Sequence, residues 1–208
     1  MEIRAVSVDE GRSWREYAEP VMTRPLVAAL DAFAESGYDG ASIRDIANRA
    51  GLSVPGLYHH YPSKQALLAE LMTAVMAELL ERSRQALASA GDSASERFDA
   101  VVESLLRFHM FRREQAFVGA SEIRSLAPEN RSAYVALRDE QQRMLDEIVR
   151  AGVAAGEFGT RFPDDASRAV TTMCVAVATW YRPDGPQSPD EIVERYLAIA
   201  RSAVGATA

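Results

Sequence analysis

Residues 51–65 read GLSVPGLYHHYPSKQ and contain the adjacent histidines His59 and His60, two of the three histidines in the chain. Imidazoles can ligate metal, move protons, or donate hydrogen bonds to bases and phosphates. Neighbouring residues on a helix point about 100° apart, whereas metal-ligating pairs favour spacings such as i, i+4. No cysteine or carboxylate stands close by in sequence to complete such a site. The third histidine, His109, lies in RFHMFRR, and the one cysteine, Cys174, lies in an apolar run that reads as core packing. No GxSxG, phosphate-binding loop, HExxH or GxGxxG pattern occurs. The expectation is therefore no enzyme, no catalytic residues, no metal site and no cofactor.

The elements that must position this stretch are helices. Thr23 can cap a helix over 25–37, with Pro25 in its first turn and Gly37 as its stop. Ser42 caps a short helix over 42–50, with Asp45 at the capping-box position. Ser53 caps another over 54–61, which Pro62 ends, and Ser63 caps a long helix to about residue 90. Further helical periodicity covers 95–113, 115–126, 128–155 and 164–180. Ser188, Pro189 and Glu191 start a last helix. No alternating strand pattern appears, so the fold class is all-α with about nine helices.

Two short helices separated by AGLS form a helix-turn-helix arrangement, whose second helix enters the major groove of DNA. Residues 41–64 carry Arg44, Arg49 and Lys64 against Asp45 alone, a local +2 within a chain of net charge −7. That acidic balance excludes a protein coating nucleic acid or anionic lipid with its whole surface. The helix starts at Ser42 and Ser63 suit phosphate. Pro55 and Gly56 leave the exposed face of the reading helix small. With a single cysteine, no membrane-length apolar run and no apolar leader at the N-terminus, the expected setting is the reducing cytoplasm.

The order FAESGYDGASIRDIANRAGLSVPGLYHHYPSKQALL resembles the DNA-binding domain of the TetR/AcrR family of transcriptional regulators. Phe33, Gly37, Tyr38, Ser42, Ile46, Ala47, Ala50, Gly51, Ser53, Leu57, Tyr58, Tyr61, Ser63, Lys64, Leu67 and Leu68 stand in that pattern, with Tyr61 replacing the commoner phenylalanine. The resemblance implies phosphate contacts from Ser42, Lys64 and the Tyr58 hydroxyl, and a backbone or base contact from Arg44. It places Val54, Pro55, Gly56 and His59 against base edges. His60 is implied as a phosphate contact or a packing residue. Val54 and Pro55 can offer only apolar contacts, so His59 is the expected hydrogen-bonding reader.

The resemblance divides the chain into an extension over 1–22, a helix-turn-helix domain over 23–65, and a ligand-binding and dimerisation domain over 66–208. Arg12, Arg15 and Arg24 could reach a minor groove, although Asp9, Glu10, Glu16 and Glu19 oppose it. The pocket candidates are Phe108, His109, Phe111, Phe117, Ile123, Tyr134, Leu137, Met144 and Met173, with Glu122 and Arg138 as polar groups. Helix 164–180 is apolar on several faces and must be buried on several faces. Ala166, Val170, Met173, Val177, Trp180, Ile192, Tyr196 and Ile199 are the expected dimer contacts.

EIRSLAPENRSAYVALRDEQ, AAGEF and WYRPDGPQSPDEI are similar to segments in regulators of lipid and sterol catabolism that respond to acyl-CoA thioesters. The resemblance implies a homodimeric repressor on a palindromic double-stranded DNA operator, released by an acyl-CoA or other lipid-like effector, with no membrane partner. The alternatives are an activator or ligand-independent regulator of the same fold, or a helical enzyme or binding module.

Overall fold

A computed structural model describes residues 13–18 and 22–206. Among these the chain forms nine α-helices and one 3-10 turn: α1 Arg24–Gly40, α2 Ile43–Arg49, α3 Val54–His60, α4 Lys64–Ser89, α5 Ala94–Phe111, α6 Arg113–Ser121, the 3-10 turn Glu122–Ser125, α7 Pro128–Ala155, α8 Pro163–Trp180 and α9 Pro189–Val204. One isolated antiparallel bridge, Phe158 to Ala206, is the only β pairing in that range. No helix in the described residues is long and apolar enough to cross a membrane.

The helix starts follow the capping residues. The Ser42, Ser53 and Ser93 hydroxyls accept from the backbone N–H of Asp45, Gly56 and Glu96, each at 3.1 Å. Ser63 accepts from Ala66 N–H at 3.0 Å. Ser93–Glu96 and Ser188–Glu191 form full capping boxes. The α5 start gains a long-range cap, because the Glu157 carboxylate accepts from Ala94 and Ser95 N–H at 3.0 and 2.8 Å. These bonds hold the Glu157 carboxyl below the usual range.

Four local expectations change. Thr23 precedes α1 but does not cap it with its side chain; its hydroxyl instead meets the Tyr61 hydroxyl at 3.1 Å. The Ser42 half of the α2 cap forms, while the Asp45 carboxylate turns to Arg49 Nε at 2.9 Å. Gly37 breaks the helical path at φ +68°, a conformation L side chains rarely adopt, yet the chain resumes a turn to Gly40. The helix expected over 115–126 splits into α6 and the 3-10 turn, and Pro128 then starts α7.

The chain divides into two compact units. The first comprises Ala18–Glu78 and Glu114–Leu137. Its core contains Leu26, Ala29, Leu30, Phe33, Ile46, Leu57, Leu67 and Leu71. Residues 114–137 join it partly through Gln65, whose Nε2 donates to Ser125 O at 2.5 Å and whose Oε1 accepts from Ala127 N–H at 2.9 Å. Backbone groups at a turn need such partners when they leave water.

The second unit comprises Leu79–Arg113 and Arg138–Ala208, with residues 13–17. Phe98, Val101, Val102, Leu105, Leu145, Val149, Val170, Cys174 and Val177 are buried in its core. The segment 13–17 is pinned there in detail. Trp14 is 5% exposed, and its Nε1 donates to Ser89 Oγ at 3.0 Å. Arg82 donates to the carbonyls of Trp14 and Glu16 at 2.9 and 3.0 Å. Tyr17 stacks on Phe111 with ring centres 4.7 Å apart.

Candidate nucleic-acid interface

Helices α2 and α3 are held at their inner faces by Ile46, Ala47 and Leu57, all fully buried. Burying a Leu or Ile side chain contributes about 1.5–3 kcal/mol, so Ile46 and Leu57, with Ala47 packed beside them, fix short helices that would not persist alone. The turn between them contains Gly51 at φ +69°, and Leu52 N–H donates to Ala47 O at 2.9 Å. With Leu57 inward, α3 presents Pro55, Tyr58, His59 and His60 to solvent, and Val54 and Gly56 are half-buried. The two imidazoles lie 5.6 Å apart at 73°, splayed rather than converging. Ser42 and Arg44 are exposed on α2.

The cations are disposed unequally. Arg49 makes a bidentate pair with Glu35 at 2.9 and 2.7 Å and also binds Asp45. Arg49 thus ties α2 to α1. The hydrogen bond from Arg49 holds the Glu35 carboxyl below its usual range. Lys64 Nζ donates to Tyr38 O at 2.6 Å and Ala41 O at 3.0 Å, and lies 4.2 Å from the centre of the Tyr38 ring. An ammonium has three donors, so Lys64 uses two on the end of α1. Arg15 is engaged within the second unit, with Glu103 at 2.7 and 2.8 Å; Arg12 lies outside the described residues.

The pocket candidates fall in both units. Phe108, His109, Phe111, Arg138, Met144 and Met173 belong to the second unit; Phe117, Glu122, Ile123, Tyr134 and Leu137 belong to the first. Phe108 and His109 are buried, Phe111 is 41% exposed and Phe117 is 52% exposed. Tyr134 donates to Gly119 O at 3.1 Å. Glu122 accepts from Ser121 and Ser125 hydroxyls at 3.3 and 2.9 Å.

A separate cleft of about 590 Å³ in the second unit is lined by Trp14, Arg15, Gln85, Ser89, Asp99 and Glu103, among others, and by none of the pocket candidates. Burial raises the Glu103 carboxyl, but hydrogen bonds from Arg15 and Arg107 overcome that and keep it below the usual range. Sequence reasoning missed Trp14 and Tyr17 as packing residues. Their aromatic type in an otherwise polar stretch was the available signal.

Of the expected dimer contacts, Ala166, Val170, Val177 and Ile192 are buried in packing within this chain. Met173, Trp180, Tyr196 and Ile199 keep accessible surface, and Trp180 and Tyr196 lie 5.6 Å apart. The exposed face of α8 carries Ala169, Thr172, Ala176, Thr179 and Trp180. Beyond Arg168 this face has no charge.

A small helix-turn-helix unit joined to a larger helical unit defines a DNA-binding regulator rather than an enzyme. Residues 26–71 match the bacterial regulatory proteins of the tetR family, and residues 91–204 match the tetracyclin repressor-like C-terminal domain. The chain belongs to the TetR family of bacterial regulators. It is 30% identical to the HTH-type transcriptional repressor KstR2 of Mycobacterium tuberculosis over 176 residues, 84% of this chain and 86% of that one. The structure of a tetR-family regulatory protein from Rhodococcus RHA1 matches with a TM-score of 0.81 at 28% identity, covering 89% of this chain and 97% of that chain. AibR, solved with isovaleryl coenzyme A and operator DNA, shares the fold with a TM-score of 0.78 at 20% identity, covering 88% and 97%.

Proposed function

We propose that this chain is a repressor that binds a palindromic operator as a homodimer and leaves it when a small hydrophobic effector, an acyl-CoA thioester in the first instance, occupies the second unit. The carrying observation is the exposed face of α3, Pro55, Tyr58, His59 and His60, set over a fully buried Leu57 and reached through a capped turn. In this reading Val54, Pro55, Gly56 and His59 meet base edges, while Ser42, Arg44, Tyr58, His60 and Lys64 serve the backbone. Phosphate contacts set affinity and base contacts set sequence preference. The name of KstR2 as a repressor and the isovaleryl coenzyme A in AibR support repression and a thioester effector.

The dimer is supported by the exposed, largely uncharged side of α8, with Trp180, Tyr196 and Ile199 beside it. A two-fold dimer reads two half-sites one helical turn apart. Release is a population shift, since an effector moves an equilibrium only by binding one state better than the other. Helix α4 is the connector, because it runs unbroken from Lys64 in the first unit to Ser89 in the second.

Operator fragments selected from randomised duplexes, titrated with and without isovaleryl-CoA and longer acyl-CoAs, test this directly. The expected result is 2:1 binding of protein to duplex and an affinity loss of tenfold or more with at least one thioester. Affinity indifferent to every thioester at saturation would sink the effector assignment, and 1:1 binding would sink the dimer.

A further inference from the structure

Gln141 lies on the inward stripe of α7 with Leu145, Ile148 and Val149, and is 4% exposed. Neither its Nε2 nor its Oε1 has a hydrogen-bond partner among the described residues, and the buried Thr171 hydroxyl on α8 is in the same condition. The large majority of buried side-chain polar atoms in folded proteins are paired. An orphaned amide carries its whole desolvation penalty unless something outside the chain answers it.

Hydrogen bonds around these residues set the register of the helices. Helices α7 and α8 run antiparallel: Arg150 binds Asp164 at 2.7 Å, Asp146 accepts from the Ser167 hydroxyl, and Gln142 Nε2 reaches Ser167 Oγ at 3.4 Å. One turn on, Gln141 falls level with Thr171 and Cys174. Helices α5 and α8 run parallel, because each is antiparallel to α9: Arg107 and Asp99 on α5 pair with Asp190 and Arg201, and the entry to α8 at Thr160 meets Val204 while Trp180 meets Tyr196. His109 and Cys174 are buried on these two helices. Gln141, Thr171 and Cys174 therefore occupy one level of the second unit, and His109 is buried on the adjacent α5.

That level can form hydrogen bonds but holds no charge. His109 Nδ1 lies 2.7 Å from Leu105 O, which can only accept, so Nδ1 carries the proton and Nε2 is left as an acceptor. Burial lowers the His109 pKa to about 4 and raises the Cys174 thiol to about 12, so both are neutral at physiological pH. The cations nearest His109 in sequence are turned elsewhere, Arg107 to Glu103 and Asp190, Arg112 over the Tyr17 ring at 5.2 Å and Arg113 to Ala178 O.

We propose that this level, with Gln141 at its centre, anchors the effector by a neutral oxygen function, a ketone, hydroxyl or thioester carbonyl, on an otherwise apolar ligand. This rests on the ligand-responsive reading above. The Gln141 amide and Thr171 hydroxyl donate to a carbonyl, and Gln141 Oε1 accepts from a hydroxyl. A carboxylate is disfavoured, because burying an ion without a partner costs far more than burying a carbonyl.

The test compares full-length wild type with Gln141→Leu, and with Gln141→Met as a second variant, by thermal melting. Without ligand, both variants melt above wild type by about 2–8 °C, since an orphaned amide gives way to an apolar group of similar size. The control Gln142→Leu, which loses a 2.8 Å bond to Asp146, does not. Decan-2-one, decan-1-ol, decanoyl-CoA and decanoate are then added in turn.

The wild type is expected to be stabilised by at least one of the first three and not by decanoate, and the Gln141 variants to lose most of that shift. The proposal is overturned if the variants melt at or below wild type, which would mean the amide is already satisfied by water. It is equally overturned if no neutral probe shifts the wild type, if decanoate does so as well, or if the variants keep the full shift. A compound that shifts melting through Gln141 but leaves operator affinity unchanged overturns the regulatory reading and leaves the anchor standing.

Discussion

The ammonium of Lys64 lies 2.6 Å from the carbonyl oxygen of Tyr38 and 4.2 Å from the centre of the same residue's ring. The first residue of α4 is thereby clasped to the end of α1. A lysine expected to serve a phosphate is also a structural bolt between helices.

Lys64→Ala is accordingly expected to act twice. Hydrogen bonds from a charged donor contribute about 1.5–3 kcal/mol each when buried, and partial exposure reduces the expected loss to about 1–2 kcal/mol. Urea denaturation should show that loss, and operator titration should show weaker binding with a salt slope smaller by about one. A variant that weakens DNA binding with unchanged unfolding would show that the clasp contributes nothing.

Trp14→Ala should destabilise the protein by about 2–4 kcal/mol, because it empties a buried site and removes the bond to Ser89. Arg15→Ala should cost under about 1 kcal/mol, since its pair with Glu103 sits at half-exposed arginine. Denaturation curves of the two variants give the comparison. Equal effects would mean that the segment is held by charge rather than by the indole.

His109 makes stability depend on acid. Its pKa is lowered from 6.5 in the unfolded chain to about 4 in the fold, chiefly by burial. Above pH 6.5 both states are neutral and the full stability is present. As pH falls from 6.5 towards 4, the unfolded chain takes up a proton that the folded one refuses, and roughly 3 kcal/mol is lost. His109→Gln should flatten the decline between pH 7 and 4.5 in urea melts; an unaltered slope would assign it to other groups.

Cys174 is fully buried, and burial raises its thiol to about 12. The thiolate is the reactive form, so iodoacetamide at pH 8 should leave the folded protein unlabelled and modify it fully in denaturant. Rapid labelling of folded protein would show that the α8 core opens.

Much of the DNA-reading unit was legible in the residues themselves. Ser42, Ser53 and Ser63 cap helices where their types and spacing said they would, since a capping hydroxyl reaches a backbone N–H only three residues on. Leu57 inward and His59 outward follow from a helix of 3.6 residues per turn. The same periodicity could not say which apolar side of α8 was covered. Ala166, Val170 and Val177 proved to be interior, whereas Ala169, Thr172 and Ala176 face outward. Both stripes are apolar, and only the neighbours of a helix decide between them.

The sequence alone determined the helical class, the position of the turn before the reading helix, and the membership that this order of residues implies. All of these depend on contacts within about four residues along the chain. Tertiary structure alone decided that Lys64 grips Tyr38, that Gln65 holds the chain at Ser125 and Ala127, and that Trp14 belongs with Ser89. It also left Gln141 buried without a partner. Those outcomes depend on which surfaces exclude water together, and burial is a property of residues far apart in sequence that no local pattern encodes.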